Sequence, residues 1–226
     1  KFMASAEEIV GSRILPEYKE IIEVFKKFSG STNHHAGIWR IPNGEAIYKI
    51  RLQSSTTTDI SANDIHELGL KEVLRISNEM EQILISLNQN DGTVVDRVKA
   101  LMESPDQLFP DTDQGRREMI SYLESLDKAL MDKAPRFFST IPPQRLEIKR
   151  IPIYAQASSP GGYYHSPALD GSRPGRFYIN QKDTADNPRW TLPTLMYHEG
   201  APGHHFQLSA SQLIEDVPIL RKLSPF

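Results

Sequence analysis

Between Ile65 and Leu87 apolar residues recur at three-to-four spacing: Ile65, Leu68, Val73, Ile76, Met80, Ile83, Leu84 and Leu87. That period belongs to an α-helix, here about seven turns long. One apolar stripe along so long a helix calls for other helices to cover it. The start is signalled too. Thr56-Thr57-Thr58-Asp59 leads to Ser61, with Asp64 three residues later, the pattern of a capping box. Asn90-Asp91-Gly92 ends the pattern. A mainly α fold follows.

The other helical segments agree. Residues 4–28 read as helix, interrupted near Pro16, with Ile21, Ile22, Val24, Phe25 and Phe28 on one face. Residues 29–44 read as loop anchored by Ile38-Trp39, and residues 45–53 fit a short helix or a strand equally well. Thr93 to Met102 and Gly115 to Lys133 read as helices, and the Pro-rich run Ser139 to Gln144 closes the helical region. The pattern then changes. Leu146, Ile148, Ile151 and Ile153 form an extended run, with Pro152 arguing for an edge strand. Gly161 to Tyr164 and Asp170 to Gly175 are turn-rich, and Arg176 to Asn180 is a short strand. Thr191 starts a further helix. The layout is a helical region over 1–140, then a small β-hairpin or edge-strand element and a final helix over 141–226, in one continuous domain. Trp39 and Trp190 are expected in the core.

Net charge is −3 over 226 residues, which offers no nucleic-acid-binding surface. No apolar run approaches the ~20 residues that span a bilayer. With no cysteine, any metal must be held by His, Asp or Glu. Lack of cysteine leaves periplasmic (lipoprotein) and cytoplasmic locations equally open. The chain begins Lys1-Phe2-Met3, without an initiator methionine or leader, and stops at Ser224-Pro225-Phe226. It reads as an internal fragment whose localisation signal lies elsewhere.

The final helix carries the chemistry. Three of the seven histidines and one carboxylate fall between His198 and His205. Imidazole is a common zinc ligand, and a carboxylate beside it can act as general base. Two histidines four apart share a helix face, but here Pro202 occupies that position. His204 lies six residues after His198 and His205 seven. On a straight helix, seven residues separate the rings axially by ~10 Å, too far for one ion. The residues between are Gly200, Ala201, Pro202 and Gly203, which break helices and permit unusual dihedrals. The backbone from Glu199 to His204 is therefore expected to leave α-helical geometry, by a local bulge that brings His204, or with more distortion His205, beside His198. The smaller insertion favours His204.

Several stretches together resemble the bacterial family catalogued as domain of unknown function 885, a family of zinc-peptidase-like proteins. They are Gly37 to Gly44, Thr56 to Asp59, Ile65-His66-Glu67-Leu68-Gly69-Leu70, Asp170 to Gly175 with Phe177 to Asn180, and His198 to Gln207, in the family's order. The resemblance implies a zincin-like helical fold. It implies Zn²⁺ held by His198 and one of His204 or His205, with Glu199 as general base. In the family a segment Glu-Gly-Trp-Ala-Leu-Tyr follows and its glutamate is the natural third ligand; this chain stops before it, and Glu215 and Asp216 sit at a helix end where solvation is expected. Residues 1–226 alone are expected to bind Zn²⁺ weakly, and the intact protein well, a difference that calorimetric titration measures.

Tyr163, Tyr164, Arg173, Tyr178 and Asn180 are candidate cleft residues. A strand edge beside a metal can pair with an extended peptide, and a tyrosine hydroxyl can stabilise an oxyanion. Their alternative role is packing the β element. His66 reads as a helix-start histidine with a possible site-facing role. His34, His35 and His165 receive none. The expected activity is zinc-dependent hydrolysis of peptide amide bonds. The alternatives are an amidase or esterase acting on a small molecule, and an inactive helical binding module; metal binding separates the last from the others.

Overall fold

The computed structural model describes Phe2–Leu223. Two helices open the chain, α1 (Phe2–Ile9) and α2 (Leu15–Ser29), joined by a π-helical turn over Val10–Ile14. Pro16 stands in the first turn of α2. A proline ring crowds the carbonyl four residues back, here that of Ser12, so the interruption falls in the turn before it. Residues 45–53 are helical, within α3 (Gly44–Thr56). The long helix is α4 (Ala62–Ser86). Its cap forms as expected: the Ser61 hydroxyl accepts from the Asp64 amide at 3.1 Å and donates to the Asp64 carboxylate at 2.6 Å.

The chain divides into two compact units at Ile76/Ser77, inside α4. The change of element type near residue 140 is a separate feature, where helices give way to strands. In the first unit the apolar faces are open. No residue of α1 or α2 is buried, and Ile21, Ile22, Phe25 and Phe28 are exposed. Trp39 is 76% exposed in a 3₁₀ turn, so it does not anchor the loop. Trp190, in the second unit, is 46% exposed and lies outside the core. The stripe on α4 is likewise exposed at Leu68, Val73, Ile76 and Ile83, and Leu84 is the buried residue of that helix. Helical period decides which side chains share a face; it does not decide what covers them.

The second unit holds the core. Helix α5 (Val94–Met102) starts at a capping box between Thr93 and Asp96. The buried Arg97 on it pairs with Glu81 and donates to the Gln89 carbonyl at 3.0 Å. Helix α6 (Asp113–Met131) follows, capped by Thr112. Then come β1 (Leu146–Arg150), the short α7 (Ile153–Gln156), β2 (Gly162–His165) and β3 (Gly175–Ile179). The sheet order is β1-β3-β2, with β1 parallel and β2 antiparallel to β3. The hairpin and the edge strand of the sequence reading thus join in one mixed sheet. Gly162 to Tyr164, read as turn, belongs to β2. Helices α8 (Leu192–Glu199), α9 (His204–Leu213) and α10 (Ile219–Leu223) complete the chain.

Strand alternation sorts the sheet into two faces. Ile148, Phe177 and Tyr164 share a register position on one face. Phe177 and Ile179 pack there against Met119 and Leu123 of α6 and Leu192 and Met196 of α8. The other face carries Glu147, Lys149 and Arg176, joined by ion pairs at 2.9 and 3.0 Å, and the stacked pair Tyr163–Tyr178. None of the helices is long and apolar enough to cross a membrane, among the described residues.

The contrast between core and stripe is measurable. Leu123→Ala removes a fully buried side chain and is expected to cost about 2–5 kcal/mol of unfolding free energy in urea. Val73→Ala, at an exposed stripe position, is expected to stay within about 0.5 kcal/mol of wild type. A multi-kcal/mol loss at Val73 would mean that its face is covered.

Candidate metal centre

Helix α8 begins with Pro193 in its first turn and ends at Glu199. It does not bulge and continue. Residues 200–203 form a tight turn and α9 restarts at His204. Gly200 has φ −93°, ψ −131° and Gly203 has φ −75°, ψ −129°, both outside the helical region. The Ala201–Pro202 peptide bond is cis. A Cβ on Gly203 would collide with the His198 carbonyl, so only glycine lets the start of α9 lie against the end of α8. The His205 amide donates to the Gly200 carbonyl at 3.1 Å and secures the turn.

This turn brings His198 and His204 together. Their ring centroids are 4.8 Å apart and nearly perpendicular, at 83°. With Glu199 they form a group whose ligand atoms all lie within 4.8 Å of one another. His198 is exposed, His204 half-buried, and Glu199 only 7% exposed. The Glu199 carboxylate forms no hydrogen bond or ion pair among the described residues. A nearly buried carboxylate beside two imidazoles is costly unless a cation compensates it. The two imidazoles are donors of the kind that zinc or a similar divalent ion takes, with the carboxylate close beside them. Glu215 and Asp216 are exposed and stand outside the group.

His205 takes another part. It is 3% exposed, and both ring nitrogens are engaged. Nε2 donates to the Gln144 carbonyl at 3.0 Å, which leaves Nδ1 to accept from the Tyr164 hydroxyl at 2.8 Å. Burial holds its pKa below the ordinary histidine value, opposed by the bond to Gln144. Neutral and doubly bonded, His205 braces the site, whereas the sequence reading left it beside His204 as an alternative ligand. Burial pushes the Tyr164 phenol up to about 12, with the Ser209 hydroxyl and the Arg173 charge pulling the other way. Tyr164 therefore keeps its proton and donates a hydrogen bond to His205. Its ring stacks on His204, with centroids 6.4 Å apart at 18°. A hydroxyl so committed is not aimed at an oxyanion.

The remaining candidates divide. Arg173 stands in the loop between β2 and β3 and lines a cavity together with Tyr164. Tyr163 and Tyr178 stack on the opposite sheet face at 5.1 Å. The Asn180 amide donates to the carbonyls of Gln156 and Ser159 at 2.9 and 3.2 Å and braces the turn before β2. His165 is exposed on β2, and His66 is exposed on α4 in the first unit. Two residues escaped sequence reasoning. Gln144 contributes a backbone carbonyl, which no side chain announces. Gly175 reads as a turn glycine in Pro174-Gly175, yet a Cβ there would collide with the Tyr164 hydroxyl and crowd His205.

A solved structure of "the putative lipoprotein from Colwellia psychrerythraea" superposes on this chain with a TM-score of 0.92 at 35% identity. The match covers 97% of this chain and 37% of that one, so the chain spans little more than a third of its solved relative. No curated protein matches the chain. Residues 1–226 match the family described as "Bacterial protein of unknown function (DUF885)" along their whole length. The chain belongs to that bacterial family, and its mainly α architecture with a small three-stranded sheet is the fold in which the His198-Glu199-His204 group is set.

Proposed function

We propose that this chain carries the core of a zincin-like, zinc-dependent hydrolase of peptide amide bonds. The observation that carries the reading is the close group of His198, Glu199 and His204, with the carboxylate nearly buried and without a partner among the described residues. His198 and His204 would hold the ion; Zn²⁺ bound there would polarise a substrate carbonyl and acidify the attacking water. Glu199 directly follows the first ligand, about 100° further round the helix, so its carboxylate reaches the water rather than the ion. It takes the proton from that water and passes it to the leaving amine. His205 and Tyr164 keep the His204 ring in place by hydrogen bond and stacking. Strand β2 is an edge of the sheet, and its main chain is available to pair with an extended substrate beside the site. The choice of peptide amides as substrate rests on fold analogy.

Two outcomes test the assignment. Glu199→Gln is nearly isosteric but cannot accept a proton at neutral pH. In the intact protein, turnover of a peptide substrate is expected to fall by about 10²–10⁴, with zinc content unchanged by elemental analysis. Loss of zinc in this variant would make Glu199 a ligand instead. Across the histidines, His198→Ala and His204→Ala are expected to lose zinc. His205→Ala is expected to keep it and to lose about 1–3 kcal/mol of stability, because the Tyr164 hydroxyl and the Gln144 carbonyl lose their partner. A folded His205→Ala protein that binds no zinc would reverse the roles of the two neighbours.

A further inference from the structure

Two cavities share a wall in the loop between β2 and β3. The larger, about 700 Å³, is lined by Tyr164, Arg173 and Gln212 among others. The smaller, about 320 Å³, is lined by Gln144, Arg145 and Arg173 with prolines around them. Arg173 and Pro167 belong to both. A guanidinium has five donors, and Arg173 uses one, on the Pro174 carbonyl at 3.3 Å. It forms no ion pair among the described residues, whereas Arg97, Arg116, Arg150 and Arg176 of the same unit each do.

The base of this side chain is held. The Ala168 amide donates to the Arg173 carbonyl at 2.9 Å, and the Gly171 amide to the Ala168 carbonyl at 3.0 Å. Arg145 is tied to the same segment, because the Gly175 amide donates to its carbonyl at 3.0 Å. Among the described residues, no acidic one lines the smaller cavity. The larger has Asp170, whose carboxylate is turned into its own loop and accepts from the Ser172 amide and hydroxyl at 3.0 and 2.6 Å. Each cavity is lined by one residue of the layer around the centre. Tyr164 lines the larger one and stacks on His204, and the Gln144 carbonyl, next to Arg145, receives the His205 ring.

We propose that Arg173, assisted by Arg145, forms an anion subsite that receives a carboxylate of the substrate. The substrates are then peptides with a carboxylate close to the bond cleaved, either a free C-terminus or an acidic side chain. A half-buried guanidinium with open donors is suited to bidentate carboxylate binding, which is stronger than a neutral hydrogen bond. The step from binding to cleavage rests on the hydrolase reading above; the binding itself does not.

The test uses the protein prepared with Zn²⁺ and carrying Glu199→Gln, so that bound peptide is not consumed. Calorimetry compares N-acetyl-trialanine, its C-terminal amide, and N-acetyl-Ala-Ala-Asp-amide. At least one carboxylate peptide is expected to bind about 10- to 100-fold more tightly than the neutral amide, as a charge-assisted contact should. The one preferred identifies a terminal or a side-chain carboxylate. Arg173→Ala is expected to abolish the preference, Arg173→Lys to keep part of it, and Arg145→Ala to reduce it. If Arg173→Ala does not fold, Arg173→Gln takes its place. Equal affinity for all three peptides, binding of none, or a preference that survives loss of the guanidinium overturns the subsite. Zinc content and wild-type hydrolysis are read separately. Hydrolysis without carboxylate preference overturns the subsite and leaves the hydrolase standing. An Arg173-dependent preference in a protein that holds no zinc does the reverse.

Discussion

The contact between the end of α8 and the start of α9 is the constraint on which the candidate site depends. His198 and His204 are six residues apart in sequence and 4.8 Å apart as rings. That juxtaposition exists because the chain turns sharply at residues 200–203 and because Gly203 has no side chain to meet the His198 carbonyl. Any Cβ there would push α9 away and separate the imidazoles. The rest of the site is arranged around this turn. Met196 packs α8 into the core under the sheet, and Phe206 packs α9 with Ala201 and Ala134.

Around that turn lies a supporting layer that fixes rather than reacts. His205 is saturated by the Gln144 carbonyl and the Tyr164 hydroxyl, and Tyr164 in turn lies against the His204 ring. Three separate segments of the second unit meet there: the end of the Pro-rich run, strand β2, and α9. Partners of this kind orient first ligands and hold one tautomer. Gly175 belongs to the same layer, since a larger residue would displace both the phenol and the imidazole. The loop that follows β2 ends at this glycine, and the same loop presents Arg173 to the neighbouring cavities. One short stretch of chain thus serves the brace and the wall of the cleft together.

The first unit presents a different balance. Its helices are amphipathic, yet Phe25, Phe28, Val73 and Ile76 lie open to solvent. Helix capping and local propensity define these elements without a buried face, as the Ser61–Asp64 cap does for α4. The second unit instead derives its order from burial, with Phe177, Met119 and Leu123 fully enclosed.

Local signals were legible in the sequence wherever neighbours along the chain decide the outcome. The cap at Ser61, the period of α4, the strand at 176–180 and the break after Glu199 all depend on residues within a turn or two of each other. So did the grouping of His204 with His198 and Glu199. What covers an apolar face is not local, and Trp39 and the α4 stripe were misjudged for that reason. The pairing of β1 with β3, across more than twenty residues, is not local either. Nor is the role of His205, which is set by a carbonyl 61 residues away and a hydroxyl 41 residues away. The sequence by itself determined which residues cluster at the candidate site and where the helix must break. Only the tertiary structure decided which histidine faces the site and which is sealed behind it, because that choice depends on partners brought from distant segments by packing.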